Sequence, residues 1–154
     1  MAILTEELKE IIGEKNTLKS IATVSNNGIP HVVYKGSIHV EDDMIVFDEL
    51  LESSQNTKNL VYSLWFDKKV SINILSADKR SFEIIGKPIK VTTCGHKFEA
   101  VYTKLQEIIP DTELSGIWYV EPIEVDEKTY TVRKRQQDDA YPELWHLDRL
   151  AVNK

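Results

Sequence analysis

The 154-residue chain carries a single cysteine, Cys94, and no apolar run near the roughly 20 residues that a membrane-spanning helix needs. One cysteine excludes an intrachain disulfide and fits a reducing compartment. Nothing near Cys94 in sequence marks it as a nucleophile, so a packed, inert thiol is expected. The four histidines, His31, His39, His96 and His146, are widely spaced, and no pair stands at i, i+4 on a helix. With one cysteine, that spacing argues against a zinc site, and no metal is expected. G-x-S-x-G, Walker and G-x-G-x-x-G patterns are absent, so no protein-only catalytic constellation stands out. There is no basic excess either. A formal charge of −6 argues against a general nucleic-acid binder, although a single phosphate needs only a local positive site. The start, Met1 to Glu7, lacks a basic segment followed by an apolar one. A cytoplasmic protein with neither membrane nor nucleic-acid partner is the default expectation.

What is present describes one globular domain over 1–154, with 42% hydrophobic and 29% charged residues. Leu4, Leu8, Ile11 and Ile12 recur at helical spacing, with Thr5 as N-cap and Gly13 as stop. Thr17 to Ser25 is rich in β-branched residues and ends at Asn26-Asn27-Gly28, a hairpin turn signal. The return strand runs from Pro30 through Lys35, and Gly36 bends it before Ser37 to Val40. Glu41-Asp42-Asp43 turns the chain into Met44–Phe47. A helix follows with Leu60, Val61, Leu64 and Trp65 on one face. Val70, Ile72 and Ile74 alternate as a half-buried strand, and Ser81 to Val91 is another, with Gly86 and Pro88 marking a bulge. Phe98, Val101, Leu105 and Ile108 predict an amphipathic helix closed by Pro110. Ile117 to Val125 reads as a strand, and Thr129 to Arg133 as a last one. Asp42-Asp43 and Asp138-Asp139 read as solvated turns, and Arg133-Lys134-Arg135 as solvated surface.

Strands outnumber helices and follow one another through short turns. The expected fold is therefore mainly β within the α+β class: a small antiparallel barrel with helices around it. Ile21–Val24 and Met44–Phe47 look apolar on both faces, so helices or a second subunit must cover the outer side.

One stretch carries chemistry. The strand Met44–Phe47 passes through Asp48 to Glu52 into Ser53-Ser54-Gln55-Asn56-Thr57-Lys58, and then into a helix. A helix N-terminus offers unpaired N–H groups and the positive end of a dipole, both suited to a phosphate. Lys58 would add a charge and Thr57 a hydroxyl. Ordinary helix capping uses the same residue types, and residue pattern alone leaves both readings open.

These segments, in this order, resemble the FMN-binding split-barrel superfamily of pyridoxamine 5′-phosphate oxidase-like proteins, over nearly the whole length. Ala22-Thr23-Val24 through Gly28-Ile29-Pro30 is similar to the family's first hairpin, and Val32-Val33-Tyr34-Lys35 to the strand beside the flavin. Asn56-Thr57-Lys58-Asn59-Leu60 after Met44–Phe47 resembles the phosphate-binding junction. Arg80-Ser81-Phe82-Glu83-Ile84-Ile85-Gly86 resembles the strand that returns past the flavin, often from the partner subunit. Trp145-His146-Leu147-Asp148-Arg149-Leu150-Ala151 is similar to the closing W-x-x-x-R-L-A segment of the oxidases.

The resemblance implies a six- to seven-stranded antiparallel split β-barrel with flanking helices, and an FMN cofactor shared across a homodimer. Lys58, Thr57 and Asn56 would hold the phosphate, and His31, Val32 and Val33 would line the ring. Lys35 would approach the ring's electron-rich edge, and Ser81 would come from the second subunit. Trp118 and Trp145 read as core or interface residues. The chain departs from the oxidases where Thr57 replaces the usual Arg, and where Thr129 to Lys134 lacks an Arg-x-His pair. These departures point away from genuine pyridoxamine phosphate oxidation. Two readings follow: an FMN-dependent oxidoreductase acting on a small molecule, or a non-catalytic barrel binding a flavin or another planar ligand. Related barrels also hold F420 or haem, and His31, His39 or His146 keeps haem open without a motif that favours it.

Overall fold

A computed structural model describes residues 2–144. The first helix, α1 (Glu6–Gly13), starts where the Thr5 hydroxyl accepts a hydrogen bond from Leu8 N at 3.2 Å, and it buries Leu8, Ile11 and Ile12. Strands β1 (Leu18–Val24) and β2 (Pro30–Tyr34) form a hairpin whose turn places Gly28 at φ 77°. Strands β3 (His39–Glu41) and β4 (Met44–Glu49) form another, with Asp42 and Asp43 at φ 46° and 63°. Two successive left-handed residues give the turn twist that matches a hairpin, and short Asp side chains tolerate them. Helix α2 (Gln55–Trp65) follows, then β5 (Val70–Leu75), β6 (Ser81–Thr92), α3 (His96–Ile108), β7 (Gly116–Glu127) and α4 (Tyr130–Ala140).

Every strand pairing is antiparallel, in the order β2-β1-β5-β6-β7-β4-β3. The two edge strands, β2 and β3, are neighbours in sequence, joined by residues 35–38. A flat sheet would hold them roughly 29 Å apart at normal strand spacing, whereas that link reaches roughly 18 Å at full extension. The sheet must therefore curl until its edges approach. Register shifts at Ile85/Gly86 and Pro88/Lys90 bend the long β6–β7 pair to allow this. The result is the antiparallel barrel that the strand pattern predicts, in the split form that the resemblance implies, with seven strands.

The barrel interior holds Ile21, Ile45, Phe47, Ile72, Ile84, Trp118 and Val120, capped by the apolar face of α1. A smaller cluster, Val46, Leu114 and Ile117, lies outside β4 and β7, where Phe98, Val101 and Leu105 of α3 cover it.

Four expectations are corrected. Thr129 to Arg133 is not a strand: the run enters α4, whose Arg133 to Gln137 are strong helix formers that outweigh the preceding β-branched residues. Cys94 is exposed rather than packed, because it sits in the link between β6 and α3. On α2 only Leu60 is fully buried among the four residues assigned inward; Val61 is 41% and Trp65 78% exposed. That helix lies on the barrel along a narrow stripe, so both residues face outward. Ile108 is likewise exposed, since α3 covers the small outer cluster with its first three turns.

At the first β6 bulge, a Cβ on Gly86 would run into Val120 Cγ1 and stand 3.1 Å from Glu121 O. Gly86→Ala should therefore cost about 1–3 kcal/mol of stability through overpacking. Chemical denaturation checks this, and an unchanged midpoint would mean that the bulge relaxes freely.

Candidate functional site

Along β4, Ile45 and Phe47 point into the barrel, and by strand alternation so does Glu49. Its side chain is 1% exposed. A buried carboxylate requires partners, and several elements supply them. Lys35, just past β2, places its Nζ 2.9 Å from Glu49 Oε1, and Asn56 Nδ2 donates to the same oxygen. The Ser54 and Thr57 hydroxyls each lie 3.4 Å from Oε2. Each hydroxyl has one proton and a second acceptor nearby: Thr57 Oγ1 at 2.9 Å for Ser54, and Leu51 O at 3.1 Å for Thr57. Ser54 also caps α2, its Oγ accepting from Thr57 N at 3.1 Å. The network continues through Asn59, whose Nδ2 donates to Thr23 Oγ1 at 3.0 Å, while Thr23 donates to Asn56 Oδ1 at 3.4 Å.

Beside this knot opens a cleft of about 670 Å³ between the β1–β2 hairpin and α2. Asn26, Ile29 and His31 line one wall, and Lys58, Tyr62 and Trp65 the other. Lys58 is exposed, and its ammonium has no partner among the described residues. His31 Nδ1 is buried without a hydrogen-bond partner among them. Lys58 and Val61 also border a second cleft of about 710 Å³, whose walls include Thr57, Val91, Ser115 and Trp118.

The structure thus brings His31 and Lys58 to one cleft, whereas Thr57 lines the second and Asn56 is buried in the knot. Val33 packs against the core, while Val32 is exposed on the outer face. Lys35 is engaged by Glu49 and is not free to reach a ring. Ser81 begins β6 opposite Leu75, which is level with Leu18 at the far end of β1. That position lies about 20 Å along the strand from the hairpin tip, so within one chain Ser81 does not join the cleft. The segment Trp145 to Ala151, including His146, lies outside the described residues. His39 has both ring nitrogens occupied, with Nδ1 2.8 Å from Ser37 O and Nε2 2.7 Å from Glu41 Oε1. Among the described residues, no group of three or more His, Cys, Asp or Glu is placed to hold a metal ion, and no helix is long and apolar enough to cross a membrane.

Sequence reasoning missed Glu49. The signal was available: it shares strand parity with Ile45 and Phe47, and a carboxylate on a core parity demands buried partners. The outward parity of the same strand carries Asp48. Burial pushes its carboxyl above the usual Asp range, with His39, Lys35 and Lys97 pulling it back and Glu41 adding to the rise.

The residues present fit a planar ligand with one anionic group. Aromatic walls meet an ammonium and a ring nitrogen that have no partner among the described residues. No protein-family model and no curated protein matches the chain in sequence. Solved structures do match in fold. HupZ from Group A Streptococcus is 20% identical, with 83% of this chain and 96% of that chain covered at a TM-score of 0.66. An F420 reductase is 20% identical over 80% and 98%, with a TM-score of 0.61. An FMN-binding protein from Syntrophomonas wolfei subsp. wolfei is 12% identical over 78% and 82%, with a TM-score of 0.59. At such identities the likeness establishes architecture alone: the chain has the same split-barrel fold as these structures.

Two predictions follow from the knot and its neighbour. Lys35→Met should cost about 3 kcal/mol by stranding the Glu49 carboxylate, and adding Glu49→Gln should recover much of that loss. A double-mutant cycle by denaturation measures the coupling, and simple additivity would dissolve the proposed pair. For Asp48, the raised pKa means that the folded state binds its proton more readily than the unfolded chain. The penalty is therefore fully present above the folded pKa and disappears below the unfolded value near 3.8. Asp48→Asn should stabilise the protein at neutral pH, and the gain should fade on acidification; a gain that is constant with pH would remove burial of the charge as its cause.

Proposed function

We propose that the protein is an FMN-dependent flavoprotein oxidoreductase acting on a small molecule, and that it works as a homodimer. The cleft between the β1–β2 hairpin and α2 is the observation that carries this reading, because it joins aromatic walls to Lys58 and a His31 nitrogen, neither with a partner among the described residues. The fold adds support, since a solved structure that shares it is named an FMN-binding protein. FMN, when bound, supplies the redox chemistry itself.

The chain's own contribution is to bind and orient. Lys58 pairs with the phosphate. Tyr62 and Trp65 offer faces to the ring. The His31 nitrogen offers a hydrogen bond to a ring heteroatom. Among the described residues β2 pairs only with β1, and that edge offers backbone groups of His31 to Val33 for the same purpose. Lys35 neutralises Glu49 in this arrangement and acts on the cofactor only through it.

The dimer follows from the outer face of the same hairpin. Val24, Val32 and Tyr34 are 39%, 65% and 73% exposed on paired strands, a continuous apolar surface suited to a second copy. Such a copy would bring its own residues, Ser81 among them, toward the flavin. An exposed free Cys94 suits a reducing compartment such as the cytoplasm. Genuine pyridoxamine phosphate oxidation is not proposed: Thr57 replaces an Arg, and no His accompanies Arg133 at the start of α4.

The visible spectrum of purified protein, taken before and after FMN addition and desalting, tests the cofactor. About one FMN retained per subunit is expected for a stoichiometric site, whereas a haem-like band or no chromophore would overturn it. Lys58→Ala should weaken FMN binding about fivefold, as for one exposed ion pair, and leave riboflavin binding unchanged. Equal losses for both ligands would remove Lys58 from the phosphate. Light scattering at micromolar concentration should show a dimer, and a monomer would defeat the shared site.

A further inference from the structure

The hydroxyl and amide cluster before α2 resembles an anion cradle, yet it already contains an anion. Glu49 Oε1 receives Lys35 Nζ and Asn56 Nδ2, and Oε2 faces the Ser54 and Thr57 hydroxyls. An ionised carboxylate has about four lone-pair sites; two donors reach Oε1, and the two hydroxyls beside Oε2 share their protons with Thr57 Oγ1 and Leu51 O. These donors are the groups that a phosphate at the same helix start would use. The single cation among them is neutralised, and no Arg stands at Thr57 to add another.

We infer that Glu49 is a specificity-determining residue that fills the N-terminal cradle of α2 with the chain's own carboxylate and excludes phosphate from it. A dianion entering there would meet a buried negative charge at close range in a poorly screened setting. It would also have to strip that carboxylate of every donor that keeps it in the folded interior. The ligand class admitted is therefore a planar ring whose phosphate, if present, stays at the rim of the cleft on Lys58. That last clause rests on the flavin reading, whereas exclusion of phosphate from the cradle does not.

The test titrates wild type and Glu49→Gln with inorganic phosphate, against a sodium chloride control of equal ionic strength. Nitrogen-15 NMR follows the backbone amides of Gln55, Asn56 and Thr57 and the Asn56 side-chain amide. Wild type should give no saturable shift beyond the chloride control. Glu49→Gln, which keeps the shape and removes the charge, should give saturable shifts at all four amides. Its preference for FMN over riboflavin should also rise about tenfold, equivalent to roughly 1.4 kcal/mol.

Saturable shifts in the wild type, or a Glu49→Gln protein as unresponsive as the wild type, overturn the inference. If Glu49→Gln does not fold, Glu49→Ala replaces it under the same criteria, and a saturable wild-type response remains decisive alone. Because the phosphate titration needs no flavin, a protein that retains no flavin defeats the functional reading while the cradle result stands or falls separately.

Discussion

A carboxylate buried at the end of β4 is the constraint around which this barrel closes. Left alone, Glu49 would cost several kcal/mol of desolvation. Its partners come from elements far apart in the sheet order: Lys35 follows edge strand β2, while Ser54, Asn56 and Thr57 open α2. Satisfying the charge therefore fixes where β2 ends relative to β4, which is also the geometry that closes the barrel. Lys19 repeats the device on the other side of the link, donating to Ile12 O at 3.2 Å and Ile38 O at 2.7 Å. One ammonium thus ties the end of α1 to the β2–β3 connection, and burial lowers its pKa. Apolar burial supplies most of the stability of such a core, but these polar ties choose one closure among several.

The same tie positions the cleft. Thr23 on β1 joins Asn56 and Asn59, so the first two turns of α2 are pinned to the hairpin that forms the opposite wall. Lys58 is two positions from both Asn56 and Leu60, which are buried, and at about 100° per residue two positions is about 200° around the helix. Its side chain must therefore leave the knot and point outward. An unpaired ammonium beside a satisfied network is a consequence of helical geometry rather than a separate feature.

Fold and site were legible in the chain to different degrees, for physical reasons. Period-two alternation in Val70–Ile74, the Asn26-Asn27-Gly28 turn and the Gly86 and Pro88 interruptions are local signals, and each corresponds to an element or bulge found in place. The α4 segment misled because Tyr130-Thr131-Val132 has strand propensity over three residues, whereas the following residues favour helix over a longer span. Val61 and Trp65 misled because apolar spacing marks a face without saying whether the same chain covers it. Glu49 was hidden in an apparently solvated acidic run before a helix cap. Its role depends on Lys35, fourteen positions earlier, and no periodicity links the two. Long-range polar satisfaction is the level at which local reading ends.

That buried network also shapes what the proposed flavin site can draw on. An exposed ion pair such as Lys58 with a phosphate is worth at most about 1 kcal/mol. Apolar surface removed from water contributes about 25 cal/mol per Å², so even 100 Å² of ring contact, on the order of 2.5 kcal/mol by that coefficient, exceeds it. Ile29, Trp65 and Phe66 are all more than half exposed and border the cleft, so the surface for that contact exists on one chain. Ring contact should therefore dominate affinity, while the phosphate discriminates weakly between related ligands. A second copy seated on the Val24, Val32 and Tyr34 face would deepen the ring contact without adding charge at the cradle. In the proposed arrangement affinity would depend on assembly, and Glu49 would limit how much the phosphate adds.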